Sequence, residues 1–478
     1  MKSYTEFYIG NEWVNPSSTD KLSVINPFTE QVIATVPEGK EADIDLAVST
    51  AKEAFDQGPW PKMAPSERAK CMAQLSELLK ANADTIATTV TSEMGSPMSF
   101  SPGGQAFAPI MVLDYYIELA DSFPFEETRQ GLLNPVKVFR EPVGVVALVT
   151  PWNVPLFTIM SKLAPALLAG CTAVIKPAPE TPINAFLLAE LVSQTDIPAG
   201  VINVVPAERA VSQYLVSHPD IDKVSFTGST IAGSKIGAIC GEHIKRCSLE
   251  LGGKSAAIIL DDADLDTAIP NILPGAFMNN GQACAAQTRI LAPQSNYQTI
   301  VERLAEAVSN MVVGDPMEAT TQIGPVFAER QRERVENYIQ IGLDEGATVA
   351  TGGGRPKAFD KGWFVEPTVF SNVDNTMRIA QEEIFGPVIV VIPYQDEADA
   401  IAIANDSDYG LSGSVWTQDV DRGVSIARQV RTGTYTINGF AMDFGSPFGG
   451  YKKSGLGREL GPEGLQVFLE YKTVNLPA

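Results

Sequence analysis

From residue 143 onward, short apolar runs alternate with longer amphipathic stretches. "VGVVALV" (143–149) carries no polar side chain and is bounded by Pro142 and Pro151, the pattern of a strand buried on both faces. A helical stretch follows from Pro155 to about Gly170. "TAVIK" (172–176), "GVINVV" (200–205) and "KVSFTG" (223–228) read as further strands, with helices expected at 183–194, 208–217 and 229–240. Four consecutive strand-helix units predict a parallel sheet with helices on both faces. A second alternating block runs from "SAAIIL" (255–260) to about residue 440, with a helix expected at 264–279. Upstream, 41–58 and 65–94 set Ala and Leu at helical spacing. The expected fold class is therefore α/β, with two parallel-sheet domains.

One stretch fits neither block. Residues 124–142, "PFEETRQGLLNPVKVFREP", read as an extended ribbon with a turn near Gly131, and the C-terminal "YKTVNLPA" is also extended. Strands left over from the main sheets predict a flap that pairs elsewhere, with a second subunit as one partner. Residues 142–161 carry no charge and have the length of a membrane span, but Pro142, Pro151 and Pro155 break them into strand, turn and helix. No membrane segment is expected, and "MKSYTEFYIG" lacks the apolar core of an export signal.

Composition narrows the function. The 478 residues suffice for two or three domains. With 57 acids against 35 bases the formal charge is −22, which repels a nucleic-acid backbone. Five cysteines (Cys71, Cys171, Cys240, Cys247, Cys284) contain no C-x-x-C pair, which suits a reducing, cytoplasmic setting better than a disulfide framework or zinc site. The only histidines, His218 and His243, have no motif around them and read as helix-end or surface residues. No metal site is expected.

Candidate chemistry sits at the ends of the apolar strands, where open parallel sheets bind ligands. "PWNVP" holds Trp152 and Asn153 between two prolines, and the Asn153 amide is a donor suited to a developing oxyanion. Lys176 ends the next strand. Gly228 and Ser229 open a helix whose N–H groups suit a phosphate. "LELGGKS" sets Glu250 and Leu251 before a close-approach turn, and "NNGQACAAQTR" (279–289) places Cys284 among small residues. A nucleophile, a base and an oxyanion donor are the parts that nucleophilic catalysis requires.

"PWNVP", "FTGST", "LELGGKS", "NNGQACAAQTR", "EEIFGPV" (382–388) and "SPFGGYKKSGLGRELG" (446–461) occur in this order. Together, over nearly the whole chain, they resemble the aldehyde dehydrogenase superfamily; the 34 residues between Glu250 and Cys284 are similar to the family's spacing of base and nucleophile. The resemblance implies an aldehyde dehydrogenase-like fold: an NAD(P)-binding domain from 1–123 and 143–252, a catalytic domain at 253–450, and an oligomerisation ribbon from 124–142 and 467–478. It implies oxidation of an aldehyde to the carboxylic acid through a thiohemiacetal and thioester on Cys284. The oxyanion would be met by Asn153 and the Cys284 backbone N–H, and Glu250 would activate the hydrolytic water. Lys162 and Glu459 match proton-relay positions. Trp152, Lys176, Gly228 and Ser229 match the adenosine and pyrophosphate end of the cofactor site, Glu383 and Phe385 its nicotinamide end, and Leu251 is a further cofactor-binding position. A homodimer or homotetramer is implied.

This chain departs from the family in two places. Lys176-Pro177-Ala178-Pro179-Glu180 puts Pro179 where the family's ribose-binding acid stands, and "VPAERAV" sets Glu208 and Arg209 where a Gly-x-Gly is common. An acid lost and an arginine gained predict NAD as cofactor with NADP accepted. The substrate side of "PWNVPLFTIMSK" offers Val154, Phe157, Thr158 and Ser161, with Phe448 near the mouth and only Arg289 as a nearby cation. The expected substrate is an apolar or aromatic aldehyde of medium size. A coenzyme A-acylating enzyme, a semialdehyde dehydrogenase and a non-catalytic member of the fold are the alternatives; relatives that acylate coenzyme A typically lack the glutamate found here as Glu250.

Overall fold

The apolar strands form the centre of a parallel sheet. The computed structural model describes residues 1–477. Strands Val145–Val149, Thr172–Lys176, Ile202–Val204, Lys223–Thr227 and Arg246–Glu250 run parallel. In space they lie in the order 246, 223, 145, 172, 202, and short antiparallel strands from both ends of the chain complete an eight-stranded sheet. The chain reverses its winding between Val145–Val149 and Lys223–Thr227. Such a switch point opens a crevice at the carboxyl ends of the two strands.

Alternate side chains of the central strand feed different cores, as the pleat requires. Val146 and Leu148 pack with Leu75, Leu113 and Leu163 from the helices Pro65–Ala81, Ala108–Leu119 and Pro155–Ala169. Val145, Ala147 and Val149 pack with Ile44 and Val48 of the helix Glu41–Asp56 on the other face. Both faces are dry, which is why the sequence shows no alternation there.

A second sheet has seven strands, ordered Thr348–Thr351, Thr368–Ser371, Val388–Tyr394, Arg289–Pro293, Ala256–Ile259, Gly413–Trp416 and Thr436–Ile437. All but the first run parallel. Its inner strand Ala256–Ile259 likewise splits Ala256 and Ile258 from Ala257 and Ile259 between two cores.

The leftover segments form a third, three-stranded sheet. Glu126–Gln130 and Pro135–Pro142 make a hairpin, and Leu469–Asn475 pairs antiparallel with Pro135–Pro142. The helix expected over 65–94 is two helices, Pro65–Ala81 and Ala83–Met94. Asn82 leaves helical geometry at φ −112°, ψ 13° and donates from its side chain to the Leu78 carbonyl, ending the first helix. Among the described residues no helix is long and apolar enough to cross a membrane.

Candidate active site

Three loops converge at the switch point. The first leaves Val149 and carries Trp152 and Asn153 to Pro155, which opens the next helix at its first turn, where a missing N–H costs nothing. Asn153 is buried. Its side-chain amide donates to the Gln282 carbonyl at 2.9 Å, while its own backbone carbonyl accepts from Gln105 Nε2 at 3.0 Å and Asn279 Nδ2 at 2.9 Å. A primary amide has two hydrogens, so one holds the orientation and the other is available to a ligand.

The second loop carries Cys284, and its shape explains "NNG". Asn279, Asn280 and Gly281 have φ of 52°, 62° and 72°, left-handed values that asparagine tolerates and glycine adopts freely. A Cβ on Gly281 would lie 2.1 Å from the Gly386 carbonyl oxygen. The Asn280 side chain pins the turn, donating to the Gly95 and Pro325 carbonyls at 2.8 and 2.9 Å and accepting from Gly324 N at 2.7 Å. Cys284 then borders two cavities, one of about 520 Å³ and one of about 240 Å³. Burial pushes its thiol up to about 12, with the charges of Glu383 and Glu250 adding to the effect.

The third loop is "LELGGKS". Glu250 ends its strand, lines the larger cavity with Cys284, and has both carboxylate oxygens buried without a hydrogen-bond partner. Burial raises its carboxyl well above the usual range; Glu459 raises it further and Lys162 opposes this. The two glycines are needed because the loop is squeezed. A Cβ on Gly252 would lie 2.5 Å from the Glu383 carboxylate, and one on Gly253 would lie 2.4 Å from the Cys284 carbonyl oxygen.

Lys162 and Glu459, which sequence alone allowed to be solvated surface charges, are a buried ion pair at 2.5 Å. Lys162 also donates to Thr227 Oγ1, and Ser161 donates to the second Glu459 oxygen at 2.7 Å. Ser161 is therefore engaged with Glu459 and does not line the larger cavity, whereas Val154, Phe157, Thr158 and Phe448 do. Phe100, Met278, Phe440, Met442 and Phe444 complete an apolar wall. Among the described residues no lysine or arginine lines this cavity. Arg289 is fully buried elsewhere, donating to the Lys254, Ile403 and Ala404 carbonyls and to Asn375.

The smaller cavity gathers Trp152, Gly228, Ser229, Leu251, Glu383 and Phe385. Ser229 caps the thirteen-residue helix Thr230–Glu242 through a bond from Ala232 N. Leu251 packs on Gly233 of that helix, where a Cβ would lie 2.3 Å from its side chain. Glu383 accepts from Gly253 N at 3.1 Å, and burial pushes its carboxyl up to about 7. Phe385 has φ 62° and stands edge-on to Trp152 at 5.4 Å. Lys176 is buried at its strand end, which pulls its ammonium down to about 8 against the opposing charges of Glu180 and Glu208.

Several neighbours gave no signal in the sequence. Gln105, Asn279 and Gln282 orient Asn153, and Arg334 lines the smaller cavity. Phe327 stacks on Trp152 at 3.5 Å, and Arg330 lies over Phe327 at 4.8 Å. Asn279 and Gln282 lie within the run 279–289 around Cys284, while Gln105, Arg334, Phe327 and Arg330 come from elements with no motif of their own.

An open α/β fold sets a thiol between two cavities, with a buried carboxyl on the larger one. The family model described as the aldehyde dehydrogenase family matches residues 13–474. A geranial dehydrogenase from Castellaniella defragrans is 43% identical over 474 residues, covering 99% of each chain. A 3-succinoylsemialdehyde-pyridine dehydrogenase from a Pseudomonas species is 44% identical over 483 residues, again covering 99% of each. The crystal structure of a Mycobacterium tuberculosis aldehyde dehydrogenase complexed with NAD+ superposes with a TM-score of 0.98 at 50% identity, covering 100% of this chain and 99% of that one. The chain belongs to the aldehyde dehydrogenase family, oxidoreductases that act on aldehyde groups.

Proposed function

We propose that this enzyme oxidises apolar or aromatic aldehydes of medium size to carboxylic acids with NAD, through a covalent intermediate on Cys284. The observation that carries this reading is the position of Cys284 on both cavities, with the unpartnered carboxyl of Glu250 on the apolar one.

The smaller cavity, with Lys176 buried at the neighbouring strand end outside its lining, fits the cofactor. Gly228, Ser229 and the helix they open suit the pyrophosphate, Trp152 and Lys176 the adenosine end, and Glu383 and Phe385 the nicotinamide ribose and ring, with Leu251 lining the same cavity. NAD supplies the hydride acceptor when bound. Cys284, having lost its proton to solvent, attacks the aldehyde carbon as the thiolate. The new C–S bond leaves a negative oxygen, which accepts from the free Asn153 amide hydrogen and the Cys284 N–H. Loss of hydride from that carbon gives a thioester. Glu250 then takes a proton from water as the water attacks; the C–S bond breaks, Cys284 leaves as thiolate and the acid is released. Lys162 and Glu459 hold the proton path behind Glu250.

The apolar wall and the absence of a lining cation favour an uncharged substrate over a carboxylate-bearing semialdehyde. Glu250 favours hydrolysis over transfer to coenzyme A, and the retained nucleophile and base disfavour a non-catalytic role. We assign the three-stranded sheet to self-association as a homodimer or homotetramer, because Leu132 and Leu133 at its hairpin tip are fully exposed. The five free cysteines suit a cytoplasmic setting. Initial rates at 340 nm with an aldehyde panel, with and without coenzyme A, test the reading. Octanal and benzaldehyde should turn over to free acid without coenzyme A. Preference for succinate semialdehyde, or dependence on coenzyme A, would contradict it.

A further inference from the structure

The cofactor's adenosine end borders a cavity of about 370 Å³ whose charges differ from those the sequence suggested. Pro179 and Glu180, just beyond Lys176, line it together with Glu208, Glu38 and Glu93, against Lys21 and Arg330. Arg209, expected beside the ribose, is exposed in the first turn of the helix Arg209–Ser217 and does not line the cavity. The reason is local. Glu208 is the N-cap residue, still extended at φ −71°, ψ 173°, so the chain turns into the helix between the two side chains.

The strands that end at Lys176 and Val204 are parallel neighbours, with Ile175 opposite Val204, and Val205 N donates to the Ile175 carbonyl at 3.0 Å. Their carboxyl ends therefore deliver Lys176 and Glu208 to one edge. The two acids there are not equivalent. Glu180 is neutralised by an ion pair with Arg330, which is itself stacked on Phe327. Glu208 has no side-chain hydrogen bond or ion pair among the described residues; the buried Lys176 feels its charge without bonding to it, so the carboxylate is free to accept from a ligand in the cavity. Dinucleotide sites that select NAD place an acid where it bonds the ribose 2′-hydroxyl, and the same charge repels a 2′-phosphate.

We propose that Glu208 performs this selection here, replacing the acid lost at Pro179 and making the site one for NAD rather than NADP. The proposal rests on the reading of Lys176 as the adenosine ribose end. It replaces the expectation of NADP acceptance, which rested on the acid lost at Pro179 together with Arg209 standing near the ribose.

The test compares wild type, Glu208→Gln and Arg209→Ala in two assays at fixed ionic strength. Calorimetry measures binding of 5′-AMP and of adenosine 2′,5′-bisphosphate, independently of turnover. Initial rates give kcat/KM with NAD and NADP. In Glu208→Gln, bisphosphate affinity and kcat/KM for NADP should both rise by about tenfold, and kcat/KM for NAD should fall as the 2′-hydroxyl loses its charged acceptor; Arg209→Ala should match wild type. Unchanged bisphosphate binding in Glu208→Gln, or a loss of selectivity in Arg209→Ala, would overturn the assignment. A wild type that binds neither nucleotide would overturn the reading of the whole site, and the proposal with it.

Discussion

The side-chain amide of Asn153 is tied by a 2.9 Å hydrogen bond to the backbone carbonyl of Gln282, two residues before Cys284. The bond fixes the amide plane relative to the loop that carries Cys284. A donor held in place before the reaction stabilises developing charge without reorganising. Asn153→Ala should lower kcat by about 10²–10³-fold, the usual effect of deleting one oxyanion donor. NAD affinity, read by fluorescence titration, should stay near wild type. A comparable loss of NAD affinity would show that Asn153 serves cofactor binding instead.

The buried Lys162–Glu459 pair should behave asymmetrically on mutation. Lys162→Met leaves the Glu459 carboxylate buried without its partner, at a cost of about 3–5 kcal/mol, so Tm should fall markedly. It also removes a charge that holds the Glu250 carboxyl down. The acid limb of the kcat profile should therefore move to higher pH. Glu459→Gln removes a charge that raises Glu250, and its acid limb should move to lower pH. Unmoved limbs in both variants would mean that Glu250 does not titrate in the rate-limiting step.

Glu250 should also mark the pH dependence of stability. Its carboxyl is raised in the folded state by burial. The folded state thus favours the protonated form, and the group's stabilising contribution is complete below the ordinary carboxylate pKa. That contribution is lost as pH rises through the folded value. Glu250→Gln cannot ionise, so its Tm relative to wild type should climb with pH above the usual carboxylate range. A constant difference between the two melting curves from pH 4 to 8 would contradict the assigned burial.

Gly281 is the least replaceable residue of the nucleophile loop. With φ 72° and a methyl-sized gap already filled by the Gly386 carbonyl at 2.1 Å, Gly281→Ala combines left-handed strain with a backbone clash. A loss of about 2 kcal/mol or more is expected, read as a lower midpoint in urea. Activity should fall with it, because Asn279 and Gln282 on the same loop position Asn153. A variant with wild-type midpoint and rate would show that the turn relaxes freely.

The parallel strands were legible because both faces are dry, which leaves uninterrupted apolar runs such as 143–149. Cys284 and Glu250 stood out because close packing demands glycine and alanine beside them, and those demands are local. Lys162 and Glu459 were ambiguous for the opposite reason. They lie 297 residues apart, and nothing local distinguishes a charge that will be buried by a distant partner from one left in water. The same limit hid Gln105, whose only signal is its bond to the Asn153 carbonyl. Asn82 looked like one more polar position on a long helix, because a single residue leaving helical geometry does not disturb the apolar spacing on either side. Glu208 and Arg209 are adjacent, and which of them faces the ribose depends on where the helix begins, within one residue.

The central claim is that Cys284 carries the acyl group and Glu250 releases it. The direct measurement is rapid mixing of Glu250→Gln with NAD and octanal, followed by absorbance at 340 nm and by mass spectrometry of the quenched protein. The predicted result is a single burst of reduced cofactor, at about one equivalent per active site, and an octanoyl adduct on the peptide that contains Cys284. Steady turnover without a burst, or an adduct on any other residue, would contradict the account.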